Sequence, residues 1–134
     1  MVQFYFLSVV LNAVAGYLFL SGDDEGLLEL KGGFSLKNQT FRLVLGVLLM
    51  VTGVIKIFSP LQGIPIIGDL VPGFISIVSS FILIFEYYRN RTTLESTEHT
   101  EKVNLLLLGN KRIIGIAALV GAALHFLFPR VPLL

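Results

Sequence analysis

An apolar run starting at Phe41, FRLVLGVLLMVTGVIKIFSP, and the connector after it, LQGIPIIGDLVPG, restrict this chain more than any other stretch. About 20 apolar residues rising about 1.5 Å each match a hydrocarbon core of about 30 Å, so the run predicts a membrane-crossing helix. Pro60, Pro65 and Pro72, with Gly63 and Gly68, interrupt any helix through the connector, which is apolar apart from Gln62 and Asp69. Irregular backbone facing lipid leaves N–H and C=O groups unpaired, so this segment must lie at the interface or beneath protein. Lys56 stands inside the run, four residues before Pro60. An ionisable residue in a span is a functional candidate, yet one within a turn of the helix end is expected to snorkel to the headgroups.

Composition agrees with lipid as the solvent. Hydrophobic residues make up 54% of the 134 and charged residues 14%, against about 25% charged in soluble domains. A soluble domain of this length cannot hide so much apolar surface. There is no cysteine, which excludes disulfides, thiolate chemistry and cysteine metal sites. The two histidines, His99 and His125, are far apart, so no zinc site is expected. No basic stripe with interleaved aromatics points to nucleic acid.

The first apolar run, VQFYFLSVVLNAVAGYLFL, has no Lys or Arg before it and no small-residue cleavage site, so it reads as a retained helix rather than a signal peptide. Ser8, Asn12 and Gly16 share a face by their four-residue spacing, a packing seam of the kind lipid-embedded helices use. In the loop that follows, Asp23, Asp24 and Glu25 lack the alternating spacing of a calcium loop, and LLEL is expected to form a helical turn at the interface. In the second helix Gly46, Gly53 and Lys56 lie near one face, with Thr52 one turn before Lys56. Asp69 is expected to cap the third helix, Pro72 to sit in its first turn, and Gly73, Ser76 and Ser80 to share a face. Asp69 pairing with Lys56 across the hairpin is the alternative. Glu86 to Arg91 form an aromatic and cationic exit at the headgroups. A short amphipathic helix carrying Glu95, Glu98, His99, Glu101 and Lys102 is expected next, with VNLLLL dipping into the interface. Glu95 and His99 lack a third partner for a metal. The last helix carries Gly115, Ala118 and Ala122 on one face, and Ala117, Gly121 and His125 on the next.

The expected fold is all-α: one membrane domain over 1–134 with four transmembrane helices at about 2–20, 40–58, 72–88 and 111–128. Eight Lys and Arg residues fall in or beside segments 21–39 and 89–110, against Lys56 and Arg130 elsewhere. The positive-inside rule therefore puts those loops in the cytoplasm, and both termini and the connector 59–71 outside. Arg42, Gly46, Lys56 and Pro60 recur as Lys111, Gly115, His125 and Pro129, each 69 residues on. Ser8 and Asn12 recur as Ser76 and Ser80, 68 residues on. The chain thus reads as a tandem repeat of two helical hairpins with the same orientation.

Two functions are compatible with this pattern. One is a transport-type protein, a channel or carrier working as a homo-oligomer, with Lys56, His125, Asp69, Asn12, Thr52, Ser76 and Ser80 as its polar lining. Gly16, Gly46, Gly53, Gly73, Gly115 and Gly121 would then be packing positions. In it Lys56 attracts anions and His125 confers pH dependence between about 5 and 8. The other is an accessory subunit or scaffold for a membrane partner protein. No carboxylate pair, nucleophile with base or phosphate-cradling motif appears, so no enzyme activity, cofactor or metal is expected.

Overall fold

The computed structural model describes residues 2–21, 29–30, 34–35, 38–58, 70–91 and 97–128. The elements are α1 (Val2–Ser21), β1 (Glu29–Leu30), β2 (Phe34–Ser35), α2 (Gln39–Phe58), α3 (Leu70–Arg91), α4 (Glu98–Gly109) and α5 (Lys111–Leu127). Helices α1, α2 and α3 are each long and apolar enough to cross a membrane. Helices α4 and α5, bent by 43° at their junction, add a fourth if they form one span.

Local chemistry sets the helix ends. Asn38 opens α2: its side chain accepts from Thr40 N–H at 3.0 Å and its carbonyl from Arg42 N–H at 3.1 Å. Pro72 is the third residue of α3, where its missing N–H breaks no helical bond. Gly109 and Asn110 separate α4 from α5, with Asn110 Nδ2 donating back to Leu106 O at 2.9 Å. The short helix expected before the last span is α4, which carries Glu98, His99, Glu101 and Lys102 and runs on through residues 105–108. The expected helical turn at LLEL is not formed by its second half. Glu29 and Leu30 instead pair antiparallel with Ser35 and Phe34. Lys31, Gly32 and Gly33 lie between them in sequence, outside the described residues. The connector 59–69, with Asp69, and the segment 22–28, with the acid cluster, lie outside the described residues.

Helices α2 and α3 pack along their lengths, as do α1 and α5, and α3 joins the two pairs through α5 and α1. Glycines set the closeness of both seams. A methyl built on Gly53 would lie 2.9 Å from Gly73 O, and one on Gly16 2.8 Å from Gly115 O. Gly46 faces Leu83 and Ile84, and Gly121 faces Ile75. Between the pairs sits a core of Leu11, Ala15, Leu18, Phe19, Leu45, Leu49, Ile82 and Leu83, flanked at one end by Leu107 and Leu108 of α4.

Outside and inside are inverted relative to a soluble bundle. Phe6, Phe58, Phe74, Ile113 and Phe126 are all more than half exposed, while Ser8, Asn12, Ser76, Ser79, Ser80 and His125 are buried. Apolar side chains on the outside and polar ones within are the reverse of what water as the surrounding solvent favours.

The seams predict a sharp contrast between two alanine substitutions. Gly53→Ala forces its methyl against the α3 backbone and should destabilise the fold by about 1–3 kcal/mol. Gly109→Ala meets nothing within 4 Å and should be neutral or slightly stabilising. Thermal unfolding in detergent reads both. Equal effects would mean that the α2–α3 approach is looser than described.

Candidate functional site

Helices α1, α2 and α5 each carry polar or aromatic groups at two levels 14 residues apart, Tyr5 and Phe19, Arg42 and Lys56, Lys111 and His125, and α3 brings Glu86 to the second level. Fourteen residues span about 21 Å along a helix, so two polar stations stand well separated across the bundle. Contacts between them fix the helix directions, with α1 and α3 running one way and α2 and α5 the other.

At the first station Lys56 does not snorkel. Its residue is 5% exposed, and Nζ lies 2.6 Å from Nε2 of His125, itself 1% exposed. Snorkelling would require the side chain to leave the α3 face that Gly53 and Gly73 hold close to it. At this distance only one of the two nitrogens can carry the proton on the line between them, so the pair holds at most one positive charge. With Lys56 as donor, the imidazole keeps its proton on Nδ1. The Tyr5 ring is tilted against the imidazole, centroids 4.4 Å apart, and Lys56 Nζ stands 5.3 Å from the Tyr5 centroid. A cation over an aromatic face is stabilised by the ring quadrupole.

Tyr5 has a second role. The carbonyl of His125 would normally accept from the amide four residues on, but that residue is Pro129, which has none. The Tyr5 hydroxyl donates to this carbonyl instead, tying the start of α1 to the end of α5. The sequence reading missed Tyr5. The signal was there in a proline four residues after a buried histidine, which announces an orphan carbonyl needing a donor.

Midway, Ser76 Oγ lies 3.0 Å from Asn12 Oδ1 and 2.8 Å from Pro72 O, so its single proton is shared between α1 and its own helix. Thr52 donates to Leu48 O at 2.7 Å, within its own helix. The hydroxyls of Ser8, Ser79 and Ser80 are buried with no partner among the described residues. Of the candidate lining residues, Lys56 therefore meets His125 and Asn12 meets Ser76, while Thr52 stays on its own helix and Asp69 lies outside the described residues.

Glu86 forms the second station, which sequence reasoning had treated as a headgroup anchor. Its carboxylate receives Lys111 Nζ at 2.5 Å and Arg42 Nη1 at 3.4 Å, joining α3 to α5 and α2. Lys111 Nζ also stands 5.7 Å from the Phe19 ring. Arg89 donates to Asn104 of α4.

The paired station predicts non-additive substitutions. His125→Leu removes the imidazole acceptor from Lys56 and should cost about 2–3 kcal/mol, the range for a buried charged hydrogen bond. Lys56→Met together with His125→Leu should cost less than the sum of the two singles, because no charge then remains to be satisfied. Thermal melts of the three variants form the cycle. Additive losses would mean that the two side chains act independently.

A protein of Treponema pallidum (strain Nichols), described as an uncharacterized protein, is 27% identical over 129 residues, covering 96% of this chain and 95% of that one. No solved structure matches the chain. A family model without a functional description matches residues 1–125, and the chain belongs to that family.

Proposed function

We propose that this chain is an integral membrane protein of transport type, with the Lys56–His125 station as the working part of its polar seam. The Lys56–His125 contact carries the reading. A bundle that had only to hold its shape gains little from a cation buried among apolar helices, since an apolar pair of similar volume would usually serve as well. A carrier needs a group that exchanges charge or partner. Lys56 attracts anions, and the imidazole at its side is a second group that can take the proton between them. The seam is closed by Leu18, Leu49, Ile82 and Leu83, all buried. Flux therefore requires either movement of the two helix pairs or a path shared between copies, and we infer a homo-oligomer.

In this reading α1, α2, α3 and α5 are the four spans, α4 lies at the cytoplasmic interface, and both termini are outside. Support comes from the cation count of the two loops and from the apolar outer surface. The two hairpins, α1–α2 and α3–α5, form a tandem repeat about an axis along the membrane normal. Support for that axis is that helix α1 packs on α5 as α3 packs on α2 and that Lys56 meets His125, its counterpart by the offset. Tyr5 lies against His125 as Gly73, 68 residues on, lies against Lys56.

The closed seam favours a second reading, an accessory subunit or scaffold whose buried polar groups only fix the register of its helices. Flux separates the two. Liposomes holding this protein alone should pass a small anion, and Lys56→Ala and His125→Ala should abolish the flux. Folded protein that passes nothing across a broad solute panel, while a membrane partner co-purifies in fixed ratio from native cells, would establish the scaffold instead. The absence of cysteine makes the topology directly testable. Single cysteines introduced at Lys37 and His99 should be labelled only from the cytoplasmic side, and labelling from outside would reverse the orientation.

A further inference from the structure

We infer that the end of the bundle around Glu86 is a binding site for a phosphate-bearing anion, of which an anionic lipid headgroup is one source and free phosphate the other. The inference rests on the membrane reading above. Glu86 is a single carboxylate serving two cations, Lys111 at 2.5 Å and Arg42 at 3.4 Å, and all three side chains are at most 20% exposed. The trio retains one net positive charge in a place where solvent screens it poorly.

Arg42 shows the deficit at atomic scale. Its guanidinium offers five N–H groups, yet the described contact is a long one from Nη1, and its Nε is buried with no acceptor among the described residues. A planar fork of this kind matches two oxygens of a phosphate. Next to it, α5 begins with Lys111 and Arg112 and has no acidic residue in its first turn. The C-terminus of α4 lies just before it, across Asn110, so the two helix dipoles offset each other there and the unmet charge belongs to the side chains. Asn110 does not cap that turn, because its side chain is turned back to Leu106 O. An anion is therefore missing where the side chains call for one, with Arg42 Nε as the buried donor left open.

The other charged groups of α3 and α4 at this end, Arg89, Arg91 and Lys102 against Glu98 and Glu101, leave one further positive charge. Arg89 is held by Asn104, and Arg91 stands 5.3 Å from the Tyr87 ring. On α4, Glu98 pairs with Lys102 at 2.9 Å, both exposed, and Glu101 and His99 lie in the same exposed half of that helix. The apolar surroundings also suit the lipid source. Leu105 and Leu106 of α4 and Ile113 of α5 are about two-thirds exposed beside the cluster, a floor on which acyl chains can lie.

The test uses the full chain in a neutral detergent, with its thermal midpoint followed while phosphatidylglycerol, phosphatidylcholine or inorganic phosphate is added. Phosphatidylglycerol should raise the midpoint and phosphatidylcholine should not. Arg42→Gln should weaken the phosphatidylglycerol effect about fivefold, the worth of one basic contact at an anionic surface. Arg112→Gln, at an exposed position that leaves the Glu86 contacts intact, should do the same and stands in if Arg42→Gln does not fold. Lys102→Gln, remote on α4, should leave the effect unchanged. A rise with inorganic phosphate equal to that with phosphatidylglycerol supports the site and assigns the soluble source. No preference for phosphatidylglycerol or phosphate over phosphatidylcholine overturns the proposal, as does an equal loss in Lys102→Gln, which would mean general attraction without a site. The membrane reading is checked apart from this. Protein that floats with phosphatidylcholine vesicles keeps that reading whatever the lipid selectivity, and protein that never partitions into vesicles removes both.

Discussion

A lysine and a histidine in contact inside an apolar bundle impose a condition that the surrounding helices have to meet. A charge taken out of water is tolerated only where its partners are already in place, because the medium around it will not reorganise to supply them. Here the partners come from different helices: Lys56 from α2, His125 from α5, and the Tyr5 ring from α1. The contact therefore holds together the two helix pairs at one end. Neither pair is complete without the other.

Glycine makes that geometry reachable. The α2 and α3 backbones come together at Gly53 and Gly73, and α1 and α5 at Gly16 and Gly115, closer than any side chain would allow. In lipid the gain from such an approach is van der Waals contact and weak backbone interaction, since apolar burial alone gives no preference for helix over solvent. Close seams leave little slack, so the Lys56 stem lies against Gly73 and its amine is directed inward rather than up to the headgroups.

The opposite end is held by a different balance. One glutamate gathers two cations from two helices, and the arginines beside it have no carboxylate of their own among the described contacts. One station is thus self-contained, a shared proton between two nitrogens, and the other is electrostatically open. On the proposed topology the open end faces the cytoplasm, where anionic headgroups are densest.

The sequence by itself determined the elements. Apolar runs of spanning length, the prolines and glycines between them, and charges gathered mostly in two segments leave a helical chain with three to four long apolar helices as the physical outcome. The 69-residue offset aligns Lys56 with His125. What only the tertiary structure decided is which way the polar groups face and whom they meet. Position near a helix end favoured a snorkelling Lys56, but whether an amine rises or turns inward depends on how close the neighbouring backbone lies, which no local pattern encodes. Glu86 looked like one more headgroup residue because its two partners come from 44 residues before and 25 after it. Contacts at such separations follow from helix packing, and packing is a property of the assembled bundle rather than of any one stretch.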